Sequence, residues 1–402
     1  MNFSLKMIGF CLIFAIRVTK IKLFQMAVEI RTVSSRKDLK AFVDFPVDLF
    51  KDMPSYVPGL SFDEMDTLDS SKNPVYEFCE SKLFLAYKDG RIAGRVAAIL
   101  NKKANEAWNH KEIRYGWLDF IDDKEVSSAL MDAVAEYGKS LGMTEMSGPL
   151  GFTDFDPEGM LIEGFEHLST MALRHSFPYY KNHMEAMGFE KEIDWLEYKV
   201  TIPAEIPEKY QRVSSMVAER YKLHIRKITR KDVKKLGLGY KIFDLVNETY
   251  SKLYNFTILP KKVVDSYVDL YLGLLDLKFI TVVEDENGEM VGFGISMPSI
   301  TRALQKCKGR IFPLGWFYIL RSMYFKYEDN VELMLLGVKP EYQKRGVNAL
   351  IFTDLIKRFQ KAGFKYAETN AELETNLSMS SLWGEFDFEQ TKRRRIYKKE
   401  LI

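Results

Sequence analysis

The feature that most constrains the fold is a pattern that occurs twice along the chain. Two apolar runs joined by a tight turn lie at Leu83 to Leu100, with Asp89-Gly90 at the turn, and at Phe279 to Met297, with Asn287-Gly288 there. Asp-Gly and Asn-Gly between apolar runs are typical of β-hairpins, because both residue types tolerate positive φ. A strand pattern, an amphipathic helix pattern and an aromatic segment follow each hairpin. We therefore predict two copies of one α/β unit.

Two prolines mark the predicted boundary between the copies. Pro203 and Pro207 interrupt both helix and strand patterns, since proline fixes φ and lacks an amide donor. The units are therefore predicted at residues 27–202 and 210–402. Residues 1–26 are interpreted as an extension outside the fold, because their apolar part is too short to cross a bilayer and no cleavage site follows it. A weak interfacial anchor is the alternative.

Composition argues against several kinds of site. The net charge of +2 gives no global attraction to nucleic acid. The three cysteines share no short spacing, and the five histidines show no metal-ligand pairing. We therefore predict neither a disulfide framework nor a metal site, and no nucleic-acid partner. No export signal is recognised, so a cytoplasmic protein is expected.

The turn after one strand of the second copy is a candidate anion site. Val331 to Val338 is predicted to be a buried strand, and Val347 to Ala362 a helix. Lys344, Arg345 and Gly346 place two cations and a bare backbone at the helix start. The first amides of a helix have no internal partner and lie at its positive dipole end, so they favour an anion. The alternative is a basic turn that binds nothing.

The corresponding turn of the first copy has the opposite charge. Asp122-Asp123-Lys124-Glu125 provides three carboxylates and no glycine. Carboxylates suit a helix start but repel phosphate, so the first copy is predicted not to bind an anion. Its expected role is to form one wall of an acceptor groove. The glycine-rich loops Gly148 to Phe152 and Gly159 to Phe165 either line that groove or are purely structural.

Two motifs of the second copy resemble a known family. The run Gln343-Lys344-Arg345-Gly346-Val347-Asn348-Ala349 resembles the Q/R-x-x-G-x-G/A signature of the GCN5-related N-acetyltransferase (GNAT) superfamily, whose loop holds the pyrophosphate of an acyl-coenzyme A. Asn376 to Trp383 falls at the spacing of that superfamily's N-x-x-A-x-x-L-Y helix. Phe386 to Phe388 lies where this motif usually ends in Gly-Phe. The resemblance implies an α/β fold of two tandem GNAT-like units, each a mixed, mostly antiparallel sheet flanked by helices.

The resemblance also implies a co-substrate and the residues that bind it. Acyl-CoA would lay its pantetheine arm along the strand before the loop, whose unpaired backbone would polarise the thioester carbonyl. The acceptor would be an amine. The strand residues expected at the arm are Leu336, Gly337 and Val338, with Gly337 permitting close approach. The loop residues expected at the pyrophosphate are Gln343, Lys344, Arg345, Gly346, Val347, Asn348 and Ala349, and Asn376 completes the predicted acyl-CoA site.

Glu332 is the predicted general base. It lies at the start of the strand, is the one charged residue of an apolar run, and is expected to share a face with Met334, Leu336 and Val338. Desolvation would raise its pKa toward a useful value. Its distance before Gln343 resembles that of the glutamate base in histone-acetylating GNAT members. The alternatives, which alternate along the next strand, are Glu368, Glu372 and Glu374.

The general acid departs from the family pattern. Many GNAT members use a tyrosine at the position where this chain has Trp383, whose side chain has no titratable proton. Tyr397, in the last predicted strand, is the substitute proposed from the sequence.

Residues 298–330 are interpreted as an insertion between the second hairpin and the next strand. Arg310 to Tyr327 crowds large apolar and aromatic side chains into a short stretch that is predicted to be helical. Such side chains on nearly every side of a helix indicate either burial in the core or contact with something apolar outside it. In the second case, Arg310, Arg321 and Lys326 would meet anionic headgroups, giving peripheral contact with the inner membrane surface.

From about Val28 onwards, the chain is similar to a bacterial group of tandem acyl-CoA N-acyltransferase-like proteins, a group that bacterial ceramide synthases also resemble. The similarity includes Gly94-Arg95-Val96, Gly148-Pro149-Leu150, Met334 to Val338 and Arg395-Ile396-Tyr397. It implies an acyl-CoA-dependent N-acyltransferase for a primary amine, with a lipidic or long-chain base as one acceptor. The alternatives are an aminoacyl-tRNA-dependent transferase of the peptidoglycan-bridge type and a non-catalytic, acyl-CoA-binding regulatory protein.

Overall fold

The strands of the described chain join into one sheet. The structure is a computed structural model that describes residues 27–235, 237–272, 275–376 and 382–401, so the predicted extension at residues 1–26 lies outside it. The strands are β1 (Glu29–Thr32), β2 (Cys79–Lys88), β3 (Arg91–Asn101), β4 (Glu112–Phe120), β5 (Glu145–Gly148), β6 (Met160–Glu163), β7 (Glu190–Thr201), β8 (His224–Ile225), β9 (Ile280–Glu284), β10 (Met290–Pro298), β11 (Asn330–Val338), β12 (Tyr366–Thr369), β13 (Glu372–Leu373) and β14 (Phe388–Glu400).

Helices flank this sheet. The α-helices are α1 (Arg36–Leu49), α2 (Ser61–Thr67), α3 (Lys102–Trp108), α4 (Lys124–Ser140), α5 (Tyr179–Ala186), α6 (Glu208–Arg220), α7 (Arg230–Lys235), α8 (Leu238–Tyr250), α9 (Lys261–Tyr267), α10 (Thr301–Cys307), α11 (Gly315–Tyr324) and α12 (Val347–Ala362). Short 3₁₀ turns lie at Pro74–Glu77, Leu277–Phe279, Pro340–Tyr342 and Trp383–Glu385, and a π-helical turn at Val268–Leu272.

The sheet is mixed and mostly antiparallel. Its strand order is β1-β2-β3-β4-β5-β14-β7-β12-β11-β10-β9-β8, with β13 beside β7 and β6 beside β14. Among the described strands, β4–β5 and β11–β12 pair in parallel, and the other pairs are antiparallel. The predicted α/β class with a mixed, mostly antiparallel sheet is confirmed.

Both predicted hairpins are present. Strands β2 and β3 are joined by Asp89 and Gly90, which have φ of 52° and 74°. Positive φ at both positions matches the turn that suits the twist of an antiparallel pair. Strands β9 and β10 are joined by a longer turn, in which the Asp285 carboxylate accepts the amide of Asn287 at 2.9 Å.

The same bulge recurs after each hairpin. The β3–β4 pairing skips a residue between Ala97–Gly116 and Arg95–Asp119, and the β10–β11 pairing skips one between Ser296–Leu333 and Ile295–Leu335. Each bulge follows the place where a parallel neighbour stops pairing, β5 in the first case and β12 in the second. A bulge bends its strand and re-aims the side chains that follow it. The two halves of the chain therefore repeat the local architecture that surrounds the site.

The two halves, residues 27–202 and the remainder, exchange their last strands. Strand β7 of the first half pairs with β12, and β14 of the second half pairs with β5. These exchanged strands also pair with each other along most of their length. The sheet is therefore continuous from one half to the other. The unit boundaries at residues 27–202 and 210–402 stay a prediction.

Helix α12 packs beside the splayed end of β11. Its buried side chains recur at Val347, Ile351, Leu355 and Phe359, the spacing of one helical face, and they pack against β9, β11 and α6. The helix ends at Gly363, whose φ of 82° is the left-handed conformation common after helices. Among the described helices, none has the length and apolar character needed to cross a membrane.

Candidate functional site

A gap between β11 and β12 forms the candidate site. Their parallel pairing ends at Leu333–Thr369, where the Asn370 amide donates to the Leu333 carbonyl at 3.1 Å. The following residues, Met334 to Val338, pair on their other side with β10, apart from the bulge. Because β12 ends while β11 continues, the two strands diverge. A cavity of about 210 Å³ lies in this gap.

The cavity extends through the sheet. On the face covered by α12 it is lined by Phe352, Leu355 and Trp383, and on the opposite face by residues of α8 and of a first-half loop. Two molecules can therefore approach the same point from opposite faces of the sheet. The polar and aromatic residues of the α8 face are Asp154, Phe155, Glu158, Tyr250 and Tyr254.

The start of α12 has the features of an anion site. Gly346 precedes the helix with φ of 87°, and no side chain caps the helix start. A Cβ on this residue would lie 2.8 Å from Cγ1 of Val213, so glycine is required both by the backbone conformation and by packing. Lys344 and Arg345 are exposed beside it, and the Arg345 guanidinium lies 5.4 Å from the centre of the Tyr221 ring. The first amides of α12 therefore point outward next to two cations.

The other predicted loop residues contribute unequally. Val347 and Ala349 are buried with their side chains in the core. Val347 can offer its backbone amide, whereas the Ala349 amide already donates to the Gly346 carbonyl at 3.0 Å. Asn348 is half-buried. The Gln343 side chain donates from Nε2 to the Val338 carbonyl at 3.0 Å, which holds the loop against the end of β11.

The predicted strand residues also differ from expectation in part. Leu336 lines the cavity, and its amide and carbonyl both hydrogen bond to the Tyr250 hydroxyl, at 3.4 and 3.0 Å. Gly337 is explained by the protein's own packing, because a Cβ there would lie 2.6 Å from Cε1 of Phe293. Val338 is buried. Asn376 lines the cavity, while residues 377–381 of the predicted second motif lie outside the described residues.

In the first half, the corresponding corner is filled by the protein itself. The Asp123 carboxylate caps α4 by accepting amides of its first turn, and it also forms an ion pair with Lys88. At the diverging end of β4, the Tyr180 hydroxyl accepts the Phe120 amide at 3.0 Å, and the Tyr179 hydroxyl donates to the Phe120 carbonyl at 2.6 Å. In the second half, no side chain caps α12, and the amide and carbonyl of Leu336 share one hydroxyl. In the first half, Asp123 caps the equivalent helix and two tyrosine hydroxyls bind the equivalent strand end.

Glu332 is buried between the halves rather than at the cavity. The Ser299 hydroxyl donates to its Oε1 at 2.9 Å, and the Met171 amide donates to its Oε2 at 3.2 Å. Burial, with a smaller contribution from the charge of Glu368, raises the pKa of Glu332 to about 8. The side chain is absent from the cavity lining. The structure thus gives Glu332 the expected perturbed pKa without the expected access to a substrate.

The bulge in β11 also corrects the predicted face of Glu332. Met334 is the extra residue opposite the Ile295–Ser296 step, so strand alternation changes phase there. Leu336 and Val338 pack with the α12 cluster, whereas Met334 packs with the cluster on the α8 side. Glu332 therefore does not share a face with Leu336 and Val338.

The other two predicted catalytic residues lie outside the cavity. Glu368 is paired in register with Glu332, accepts the Asn330 amide group at 2.7 Å, and has its pKa raised by burial. Tyr397 is buried in the first-half core, where its hydroxyl donates to Glu185 at 3.1 Å. Strand β14 thus carries Tyr397, the general acid predicted from the sequence, across into the first half and away from the cavity.

Glu372, one of the alternatives, does line the cavity. Its Oε1 accepts Nε1–H of Trp383 at 3.2 Å. Its Oε2 is buried and has no hydrogen-bond partner among the described residues. Burial raises the pKa of Glu372 to about 7, so protonated and ionised forms coexist near neutrality. A buried carboxyl oxygen without a partner, on a side chain that lines a cavity, is an expected feature of a reacting group.

Sequence reasoning missed the residues on the α8 face. Burial raises the pKa of Asp154 to about 6 and that of Glu158 well above its ordinary value. Burial also raises the pKa of Tyr250 to about 12, with the charges of Asp154 and Glu372 adding to the shift. The two acids lie between the glycine-rich loops that were expected to line the groove, and this proximity was the available signal. No such sequence signal marked Tyr250, because the position of its hydroxyl depends on where α8 packs.

One group of potential metal ligands is present among the described residues. His110, Glu112 and Glu145 lie close enough to share an ion. Both oxygens of Glu112 are already hydrogen bonded, to Ser147 at 2.6 Å and to Asn255 at 3.1 Å. This group lies outside the cavity lining.

The solved structures that resemble this chain decide the fold. A tandem GNAT protein from the clavulanic acid biosynthesis pathway superposes with a TM-score of 0.55 at 13% identity, over 93% of this chain and 99% of the other. The chain has the GNAT fold. The fold that the resemblance of the two sequence motifs implied is thereby confirmed.

Curated relatives cover nearly the whole chain. Protein YghO of Escherichia coli is 28% identical over 92% of this chain and 95% of its own length. A bacterial ceramide synthase of Caulobacter vibrioides is 24% identical over 92% of this chain and 96% of its own length. No family model matches the chain.

Proposed function

We propose that this protein is an acyl-CoA-dependent N-acyltransferase whose acceptor is a lipidic, long-chain primary amine. The observation that carries the proposal is the uncapped start of α12, which lies at the end of the strand that lines the cavity. The first half lacks this arrangement, because Asp123 caps α4. The ceramide synthase relative supports the choice of a long-chain acceptor.

In this proposal, the acyl donor lies on the α12 face. The pyrophosphate binds the amides of Val347 and Asn348 with Lys344 and Arg345 beside it, since helix dipole and cations act in the same direction. The pantetheine arm follows β11 toward the cavity and takes over the polar groups of Leu336 that the Tyr250 hydroxyl otherwise occupies. The Leu336 amide then donates to the thioester oxygen as negative charge develops there.

The acceptor amine lies on the α8 face in this proposal. Asp154 and Glu158 attract the ammonium group, and Asp154, whose pKa is about 6, takes its proton. The neutral nitrogen attacks the thioester carbon, so that a C–N bond forms and the C–S bond breaks. Glu372 in its protonated form gives a proton to the departing thiolate, in place of the tyrosine that Trp383 replaces, and the resulting carboxylate takes the surplus proton from the newly acylated nitrogen.

Coenzyme A binding tests the donor site. Lys344→Glu/Arg345→Glu is expected to weaken coenzyme A binding at least about 10-fold in isothermal titration, because charge-assisted contacts to phosphate are lost and repulsion is added. Both side chains are exposed, so the melting temperature is expected to stay unchanged. Lys357→Glu/Lys361→Glu makes the same charge change at the far end of α12 and is expected to leave affinity unaltered.

Turnover tests the reaction and the acceptor. Thiol release from acyl-CoA is expected with a long-chain amine, and with lower kcat/KM for a short amine that carries the same polar group. Coenzyme A binding without thiol release from any amine would favour the regulatory alternative. Absence of coenzyme A binding, or equal affinity in the two double variants, would remove the donor site and the proposal with it.

A further inference from the structure

The inserted helix α11 carries an aromatic patch on the protein surface. Half of the exposed large apolar side chains of the described residues lie within this short segment, and Phe312 and Phe325 are 81% and 83% exposed. Core burial, one of the two readings of the sequence, is therefore wrong for these side chains. The aromatic patch consists of Phe312, Leu314, Trp316, Phe317, Leu320 and Phe325.

Helix α11 has three faces with different environments. Gly315, Ile319 and Met323 face the protein, and Met323 packs in the large core cluster. Trp316, Phe317 and Leu320 form the exposed apolar face. The third face points into a cavity. A helix that is apolar on one exposed side and cationic beside it is typical of a segment lying in the membrane interface.

The third face borders a cavity rich in cations. Its volume of about 560 Å³ falls within the about 300–1,000 Å³ range of ligand sites. Both of its carboxylates are already engaged: Asp329 pairs with Lys365 at 3.0 Å, and Glu328 accepts the Arg302 amide at 3.1 Å and lies 4.0 Å from the Arg302 guanidinium. The cavity therefore presents an excess of positive charge. We call this cavity the basic cavity. Its cations are Lys199, Arg302, Lys306, Arg321 and Lys326.

Four of these cations have no carboxylate partner in the part of the chain that the structure describes, namely Lys199, Lys306, Arg321 and Lys326. The Lys306 ammonium lies 4.1 Å from the centre of the Tyr318 ring, which holds it at the cavity wall. Cations without partners beside exposed aromatic side chains match the chemistry of an anionic bilayer surface, with phosphates outside and acyl chains beneath.

The segment that precedes the aromatic patch is hydrogen bonded to the first half. The Gln305 side chain donates to the Pro54 and Tyr56 carbonyls, both at 2.8 Å. The Gly309 carbonyl accepts the Ser61 amide at 3.0 Å, and a Cβ on Gly309 would lie 2.1 Å from the Gly59 oxygen. The exposed side chains therefore belong to a rigid surface, which requires little ordering on docking.

We propose that the aromatic patch and the basic cavity together dock this protein on a bilayer that contains anionic phospholipid. The aromatic side chains enter the acyl-chain boundary, and a headgroup phosphate occupies the basic cavity. Asn330, at the inner wall of this cavity, begins β11 and so connects the docking surface to the strand of the candidate site. The proposal goes beyond the acyl-transfer reaction and does not depend on it.

Vesicle sedimentation tests the docking surface. The full chain is mixed with vesicles of phosphatidylcholine alone, or with about one-third phosphatidylglycerol, without any acyl donor. Wild-type protein is expected to sediment with the anionic vesicles and more weakly with the neutral ones. Lys306→Glu/Arg321→Glu is expected to reduce binding to anionic vesicles at least about 10-fold, because each basic residue near such a surface contributes about 1 kcal/mol. Trp316→Ser/Phe317→Ser is expected to reduce binding to both vesicle types at least about 10-fold.

Two matched controls separate docking from general surface effects. Met216→Ser/Ile258→Ser removes two apolar side chains of similar exposure, 54% and 56%, from other parts of the surface. Lys357→Glu/Lys361→Glu repeats the charge change on α12. Both are expected to bind vesicles like wild type. Equal losses in the controls, or absence of wild-type sedimentation, would overturn the proposal. So would a wild-type dimer that Trp316→Ser/Phe317→Ser converts to monomer, since a second copy would then cover the patch.

Discussion

Among buried carboxyl groups, access to substrate rather than pKa separates the candidates. Burial raises the pKa of Glu332, Glu368 and Glu372 alike. Both oxygens of Glu332 have donors, whereas one oxygen of Glu372 has none among the described residues and the side chain lines the cavity. A perturbed pKa marks a functional residue when geometry agrees with it.

The pH dependence of turnover tests Glu372. A proton donor with a pKa of about 7 is competent below that pH, so kcat is expected to fall as pH rises through about 7. Glu372→Gln is expected to lower kcat about 100-fold, the lower range for loss of a general acid, and to remove this alkaline limb while KM for acyl-CoA changes little. The measurement is a pH profile of kcat.

Glu374→Gln is the matched control for this prediction. Glu374 lies two residues away in an ion pair with Lys191 at 2.8 Å, outside the cavity lining. The fall of kcat at alkaline pH in Glu374→Gln is expected to match that of wild type. An unchanged alkaline limb in Glu372→Gln would show that another group returns the proton.

The structure places Glu332, the base predicted from the sequence, away from the cavity for a traceable reason. A lone charge in an apolar strand correctly predicted burial and a raised pKa. Its orientation depended on the bulge at Met334 and on the Met171 loop that closes over it, and neither leaves a local pattern. Tyr250 was missed for a similar reason, since a tyrosine in a helix gives no sign of which strand end its hydroxyl will reach.

At the scale of elements, the starts of α4 and α12 occupy corresponding positions but differ in their caps. Asp123 caps α4, whereas no side chain caps α12. Asp123→Ala removes the cap of α4 and a partner of Lys88, so the free energy of unfolding is expected to fall by about 1–2 kcal/mol. Coenzyme A affinity is expected to stay unchanged, because the proposed donor site is at α12. Denaturant unfolding and isothermal titration measure the two effects.

Asp132→Ala serves as the comparison for this helix. Asp132 is exposed further along α4, away from its start, so its loss is expected to change the free energy of unfolding by less than about 0.5 kcal/mol. Weaker coenzyme A binding in Asp123→Ala would contradict the assignment of separate roles to the two helix starts.

Locally encoded elements were predictable and their surroundings were not. The hairpins and the strand–turn–helix at residues 331–362 follow from turn residues and periodicity, and all are present. The segment around α11 was predicted to be helical, but its exposure was left open. The sequence pattern shows which side chains of this segment are apolar. The packing of the segment against the loop near Tyr56 determines which of these side chains are exposed to solvent.

At the scale of the whole molecule, exchange of β7 and β14 couples the halves. Strand β7 of the first half pairs with second-half strands, and β14 of the second half pairs with first-half strands. A buried ion pair between Glu197 of β7 and Arg394 of β14, at 2.6 Å, joins the two exchanged strands. The described fold is therefore expected to unfold in a single calorimetric transition, with van't Hoff and calorimetric enthalpies in agreement. Two separated transitions would contradict this coupling. A chain that ends at residue 387 is expected to lose the whole transition rather than half of it.

The repeat was visible in the sequence, but the exchange of strands was not. Composition and prolines indicate where a unit could end, and they contain no information about which neighbour a last strand will choose. That choice follows from the long-range pairing of β14 with both β5 and β7.

The position of β14 has a consequence for how the protein is made. At about 5–20 residues per second, a ribosome needs roughly 10 to 40 s between completing β7 and delivering β14. During that interval β5 and β7 lack the neighbour that joins them, and unsatisfied strand edges recruit other chains. Nascent protein is therefore most vulnerable to aggregation late in translation, and a chain truncated before Phe388 would leave the central sheet of both halves unfinished.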